Sequence, residues 1–181
     1  SVLDDRKVGP SLGADSIAAG TTAGIIGLIA VVVFMFVMYG WFGLFANVAL
    51  AINMVMLFGV LSLLSATLTL PGIAGIILTV GMAVDANVLV FERIREELKR
   101  GMSVGGAIDA GYRAAMSTII DANLTTFIAA LVLAIFGSGP VRGFAITLGI
   151  GIATSMFTAL LVTRGLISTW HGRQGPEKAP I

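Results

Sequence analysis

Five apolar runs, each about as long as a bilayer is thick, constrain this chain more than any other feature. They cover residues 17–38, 44–64, 72–91, 118–136 and 143–166. A hydrocarbon core of about 30 Å takes about 20 helical residues to cross, and every backbone polar group inside it must be satisfied within the spanning segment. The runs therefore predict an all-α integral membrane fold with five transmembrane helices. Composition agrees: 57% of the 181 residues are hydrophobic, 12% are charged and mean hydropathy is +1.00. A soluble domain would carry about 25% charged residues.

The connection between the third and fourth runs is not plain loop. Over residues 103–115, Val104, Ile108, Tyr112 and Ala115 share one helical face, with Asp109 and Arg113 on the other. This pattern predicts a short cytoplasmic interfacial helix lying along the membrane. Tyr39, Trp41 and Trp170 mark headgroup depth. Arg93, Arg95, Lys99, Arg100, Arg113, Arg164, Arg173 and Lys178 fall on one side of the membrane, against Arg6, Lys7 and Arg142 on the other. The excess of basic residues faces the cytoplasm. Residues 1–16 are then a periplasmic lead-in, and 171–181 a cytoplasmic polar tail. Glycine is plentiful, with 23 residues. The pairs Gly20/Gly24, Ala23/Gly27, Ala145/Gly149 and Gly149/Ala153 have the spacing of close helix contacts.

Against this apolar background the polar residues stand out. Asp85 lies within the third run, about 10 Å inside the first charge of the segment 92–100. An aspartate at the centre of a spanning helix costs about 2.5–3.5 kcal/mol, so a chain that keeps one uses it for ion traffic or pairs it across helices. Burial disfavours the charged form of a carboxylate, which suits the group to loading and releasing a proton. The tripeptide Asp-Ala-Asn recurs at 121–123 in the next, antiparallel run. Ser117, Thr118, Asp121 and Thr125 form a polar stripe there, predicted to face the stripe of Gly81, Asp85 and Leu89, with Asp121 nearer the cytoplasmic surface. Asn87, Asn123, Asn47 and Asn53 suit hydrogen bonds between helices. Arg142, at the outer start of the last run, opposes the helix dipole and calls for a carboxylate or lipid phosphate.

Some classes fall away. The net charge of +1 argues against nucleic acid as a partner. With no cysteine and one histidine, His171, no structural zinc site is expected. No nucleophile or phosphate loop is recognisable, so an enzyme of covalent chemistry is not expected. Two readings stay open beside ion coupling to transport. One is a fragment of a small-molecule exporter; the other is a structural subunit whose aspartates only hold helices together.

Several longer motifs point further. They are Val8-Gly9-Pro10-Ser11-Leu12-Gly13, the run Gly81 to Glu97 around Asp85-Ala86-Asn87, Asp121-Ala122-Asn123-Leu124-Thr125-Thr126, and Gly139-Pro140-Val141-Arg142-Gly143-Phe144-Ala145. In these the chain resembles the C-terminal membrane region of the SecD/SecF protein-export family, within the resistance-nodulation-division superfamily. The tripeptide at the aspartate fits the SecD branch, because the SecF branch carries a different one. The resemblance implies half of a pseudo-symmetric membrane domain that uses the proton motive force to promote late preprotein translocation. It implies SecF and the SecYEG translocon as partners, and a preprotein held by a periplasmic domain absent from this chain. It places Asp85 at the family's intramembrane proton-handling position, with Asp121 and Arg142 at further polar positions and Asn87, Asn123 and Thr125 in support. No cofactor is implied beyond the coupling ion, a proton or alternatively sodium.

Overall fold

The computed structural model describes residues 10–66 and 68–174, and every regular element among them is helical. These are α1 (Pro10–Leu63), α2 (Leu70–Lys99), α3 (Val104–Phe136), α4 (Gly139–Phe157), a π-helical segment (Thr158–Thr163) and α5 (Arg164–Gln174). Four helices are long and apolar enough to cross a membrane: Gly13–Leu63, Leu70–Lys99, Val104–Phe136 and the continuous rod Gly139–Gly172. The parts of the lead-in and tail at residues 1–9 and 175–181 lie outside the described residues.

The first helix is two limbs. Gly40 has φ 53° and ψ −123°, a backbone state that L side chains rarely adopt, and it reverses the chain. Asn47 Nδ2 donates to the carbonyl of Val32 at 3.0 Å, whereas fifteen residues of straight helix would separate them by about 22 Å. Residues 10–39 and 41–63 therefore lie side by side and antiparallel. Gly43 lets them close, since a Cβ there would run into the carbonyl of Met35.

Local chemistry sets the other boundaries. Thr69 caps α2 by accepting from the Gly72 N–H at 3.1 Å, and Pro71 stands in the first turn where its missing N–H costs nothing. Arg100 closes the helix, and Gly101 at φ 87° turns the chain into α3. Ser103 caps α3 at 3.4 Å. Gly139 and Pro140 open α4.

One expectation is corrected here. Residues 104–115 are not a separate interfacial helix but the first turns of α3. No glycine or proline occurs from Tyr112 to Phe136, so nothing stops the helix propagating into the fourth apolar run. The apolar face read as lipid-directed is buried in protein: Val104, Ile108, Tyr112 and Ala115 are all core residues. Gly111 sits so close to Ile94 that a Cβ would come within 2.8 Å of its backbone nitrogen.

The helices pack by small residues and tie off at two ends. Gly72 and Gly75 of α2 meet Thr147 and Phe144 of α4, and Gly151 meets Thr79 in the tightest approach of that seam. Gly20 and Gly24 pack on Ile73 and Ile77, as their spacing predicts. At one end Tyr39 donates to Glu92 at 3.0 Å, Arg95 pairs with Glu92 at 2.7 Å and donates to the Met38 carbonyl at 3.1 Å. The same guanidinium lies 5.2 Å from the Tyr39 ring centroid. Phe42 and Phe45 contact Trp170 edge-on, and Arg164 reaches Asp109 at 3.3 Å. At the other end Ser65, Ala66 and Thr69 lie against Gly139, Arg142 and Gly143.

Candidate ion-coupling cleft

α2 and α3 diverge enough to leave a cleft of about 250 Å³ between them. Asp85 opens into it from α2, with Met82, Ala86 and Leu89; Thr118, Asn123 and Thr126 are the polar side chains on the α3 wall. The wall follows from helix geometry, since residues 82, 85, 86 and 89 fall on one face at 100° per residue. Among the described residues no hydrogen bond or ion pair to Asp85 is formed, and its side chain is exposed to the cleft. The carboxylate is thus held midway along α2 without a partner among the described residues.

The remaining site residues distribute differently from the sequence expectation. Asp121 does not line the cleft. Packing of Gly111 on Ile94 fixes the antiparallel register of α2 and α3, which sets Asp121 level with Asp85 rather than nearer the surface. Its stripe with Ser117 and Thr125 points away from the cleft, about 100° or more round the helix from the lining side, and only Thr118 belongs to both. Ser117, Thr118, Asp121 and Thr125 are all exposed. Thr125 donates to the Asp121 backbone carbonyl at 2.9 Å.

Neither asparagine of the repeated tripeptide bridges helices. Asn123 lines the cleft while its amide donates to Ile119 O at 2.8 Å. Asn87 is buried on the opposite side of α2 and donates to Ala83 O at 3.0 Å. Within helices such i−4 bonds satisfy an amide N–H locally. Arg142 lies at the far end of α4 in a recess with Ser65, Ala66 and Gly143, about 20 Å along the axis from Asp85. Among the described residues no carboxylate pairs with it. The structure therefore brings together Asp85, Asn123 and the cleft threonines, and leaves Asp121 and Arg142 outside. Sequence reading missed Thr126 as a cleft residue; its signal was the i+4 step from Ala122, which follows the lining face rather than the polar stripe.

Long apolar helices around a carboxylate with no partner among the described residues define a multi-pass membrane protein with a polar cleft between two of its helices. A family model described as "Protein export membrane protein SecD/SecF, C-terminal" matches residues 1–173, and the chain belongs to that family. It is 53% identical over 181 residues to the protein translocase subunit SecD of Acetobacter pasteurianus, covering all of this chain and 35% of that protein. It is 57% identical over 177 residues to SecD of Rickettsia felis, covering 98% of this chain and 34% of the relative. The chain thus spans about a third of the length of the curated relatives it matches. A crystal structure of SecDF, a translocon-associated membrane protein from Thermus thermophilus, superposes with a TM-score of 0.87 at 44% identity, over 94% of this chain and 24% of that one. A SecDF structure in a super-membrane-facing form gives 0.87 at 45% identity, over 96% and 24%.

Proposed function

We propose that this chain is the membrane-embedded part of a SecD-type export subunit, in which Asp85 takes up and releases the coupling ion that drives late preprotein translocation. The observation that carries the reading is Asp85 itself: a carboxylate exposed to a cleft of about 250 Å³ inside the apolar span, with no side chain holding it. An aspartate serving as helix glue would be bonded to a neighbouring helix. Thr118, Asn123 and Thr126 supply hydroxyl and amide groups beside it that water or an ion can use.

In this reading the chain crosses the membrane five times. The reversal at Gly40 and the Asn47–Val32 bond support two crossings by α1. The end rich in Arg and Lys, from Arg93 to Arg100, faces the cytoplasm. The exposed polar stripe of α3 beside the Asp85 cleft suits burial against a second membrane half, SecF or its equivalent, in a pseudo-symmetric pair, with SecYEG and the preprotein engaged by parts of the full protein. Moving one charge through the field supplies about 2.3 kcal/mol per 100 mV, enough to shift a two-state helix arrangement more than tenfold. The ion is a proton, and sodium is the alternative.

The test is export of a reporter preprotein by the full-length protein carrying Asp85→Asn, with the proton gradient present and collapsed. Loss of the gradient-dependent part at normal membrane levels is expected. Unchanged export would leave Asp85 a structural residue.

A further inference from the structure

The side of α2 turned away from the Asp85 cleft faces a second set of polar residues. Thr79 and Asn87 of α2 lie on it, about 120° and 160° round the helix from Asp85 respectively. Asn53 of the 41–63 limb and Thr154, Ser155, Thr158 and Thr163 of α4 and the π segment complete the set, and all seven are buried. They are also brought to one seam. Trp170 meets Phe42 and Phe45 at one end, while Arg142 and Ile146 share a recess with Ser65 and Ala66 at the other. Antiparallel packing between those two anchors sets Asn53 opposite the stretch from Thr154 to the π segment. Thr79 packs on Gly151, and the same parallel offset sets Asn87 beside the π segment.

The hydrogen bonds in this seam do not close. Each hydroxyl donates to its own helix: Thr154 to Gly151 O at 3.1 Å, Ser155 to Ile152 O at 3.0 Å, Thr158 to Ser155 O at 3.1 Å and Thr163 to Thr158 O at 3.2 Å. Their lone pairs remain free to accept. Among the described residues, both amide atoms of Asn53, which is 0% exposed, and the Oδ1 of Asn87 have no partner. A buried amide in that state is costly, and a buried water needs two to four polar partners to be stable. Asn53 offers two donors and an acceptor, and the hydroxyls facing it offer acceptors.

We propose that this seam binds a short file of ordered water anchored by Asn53 and Asn87, separate from the Asp85 cleft. The water completes the amide hydrogen bonds beside the π segment, whose widened turn carries buried Thr158 and Thr163 as well as Ala159 of the apolar core. The α2–α4 contact at Thr79–Gly151 is locked by glycine–threonine packing, whereas the water lies farther along, where Asn87, the π segment and the 41–63 limb meet.

The test is hydroxyl-radical footprinting of the full-length protein in nanodiscs, which labels side chains touching internal water. Leu50 and Leu57 flank Asn53 on its buried face; Leu148 is equally enclosed in the apolar α3–α4 contact. Leu50 and Leu57 are expected to label about fivefold faster than Leu148, a contrast that bound water alone produces. Equal rates in the unmodified protein would overturn the proposal. In Asn53→Leu the excess should vanish, and the thermal midpoint should fall because the remaining polar groups lose the shared water. A raised midpoint would mean the amide was dry and merely unpaired, and would equally sink the idea.

Discussion

At the residue scale, the determining facts are which groups have partners and which have room. Among the described residues Asp85 has no bonded neighbour, and its wall is open; the role proposed for it rests on that. Gly151 is the opposite case. A Cβ there collides with Thr79, so Gly151→Ala is expected to lower stability by about 1–3 kcal/mol through overpacking. Adding Thr79→Ala should restore part of the loss, read as the thermal midpoint of the full-length protein in detergent. Thr69 and Ser103 give a graded pair. The Thr69 cap bond is 3.1 Å and the Ser103 bond 3.4 Å, so Thr69→Ala should cost about 1 kcal/mol and Ser103→Ala less. Equal losses would mean that cap geometry is not what fixes these helix starts.

At the element scale, the first helix depends on one residue. Only a positive φ at Gly40 lets the two limbs fold back, and any side chain there is strained by about 1–3 kcal/mol. Gly40→Val is expected to reduce the amount of folded protein and to weaken the Tyr39–Glu92–Arg95 cluster beside it. Replacing Gly101, where φ is also positive but nothing lies near a Cβ, should cost only about 1 kcal/mol. Comparing the two variants by membrane level and protease resistance separates strain alone from strain at a packed corner. The charged end of α2 contributes little by contrast. Its pairs Arg93–Glu96 and Arg100–Glu97 are exposed i,i+3 contacts of the kind worth at most about 1 kcal/mol.

At the scale of the whole molecule, five apolar limbs run alternately up and down between two unlike ends. The absence of cysteine in this region makes that arrangement directly measurable. Gly101→Cys lies at the end rich in arginine, and Ser138→Cys at the opposite one. In intact cells an impermeant maleimide should label Ser138→Cys at once and Gly101→Cys only after permeabilisation. The reverse pattern would invert the orientation, and with it the direction of ion passage proposed for Asp85.

Sequence by itself determined the helical class, the apolar runs that became the long helices, and the place of Asp85 within one of them. These follow from run length and hydropathy, local properties of the chain. Tertiary structure alone decided the rest. The stripes of the two Asp-Ala-Asn copies were expected to face one another, yet helix register turns Asp85 into the cleft and Asp121 away from it. Residues 103–115 had the amphipathic pattern of a surface helix, but an apolar face fits protein as well as lipid, and α2 claimed it. Asn53 read as helix glue until its neighbours proved to have committed their donors to their own backbones. Periodicity gives the face a residue occupies; which surface meets that face is settled only when the helices pack.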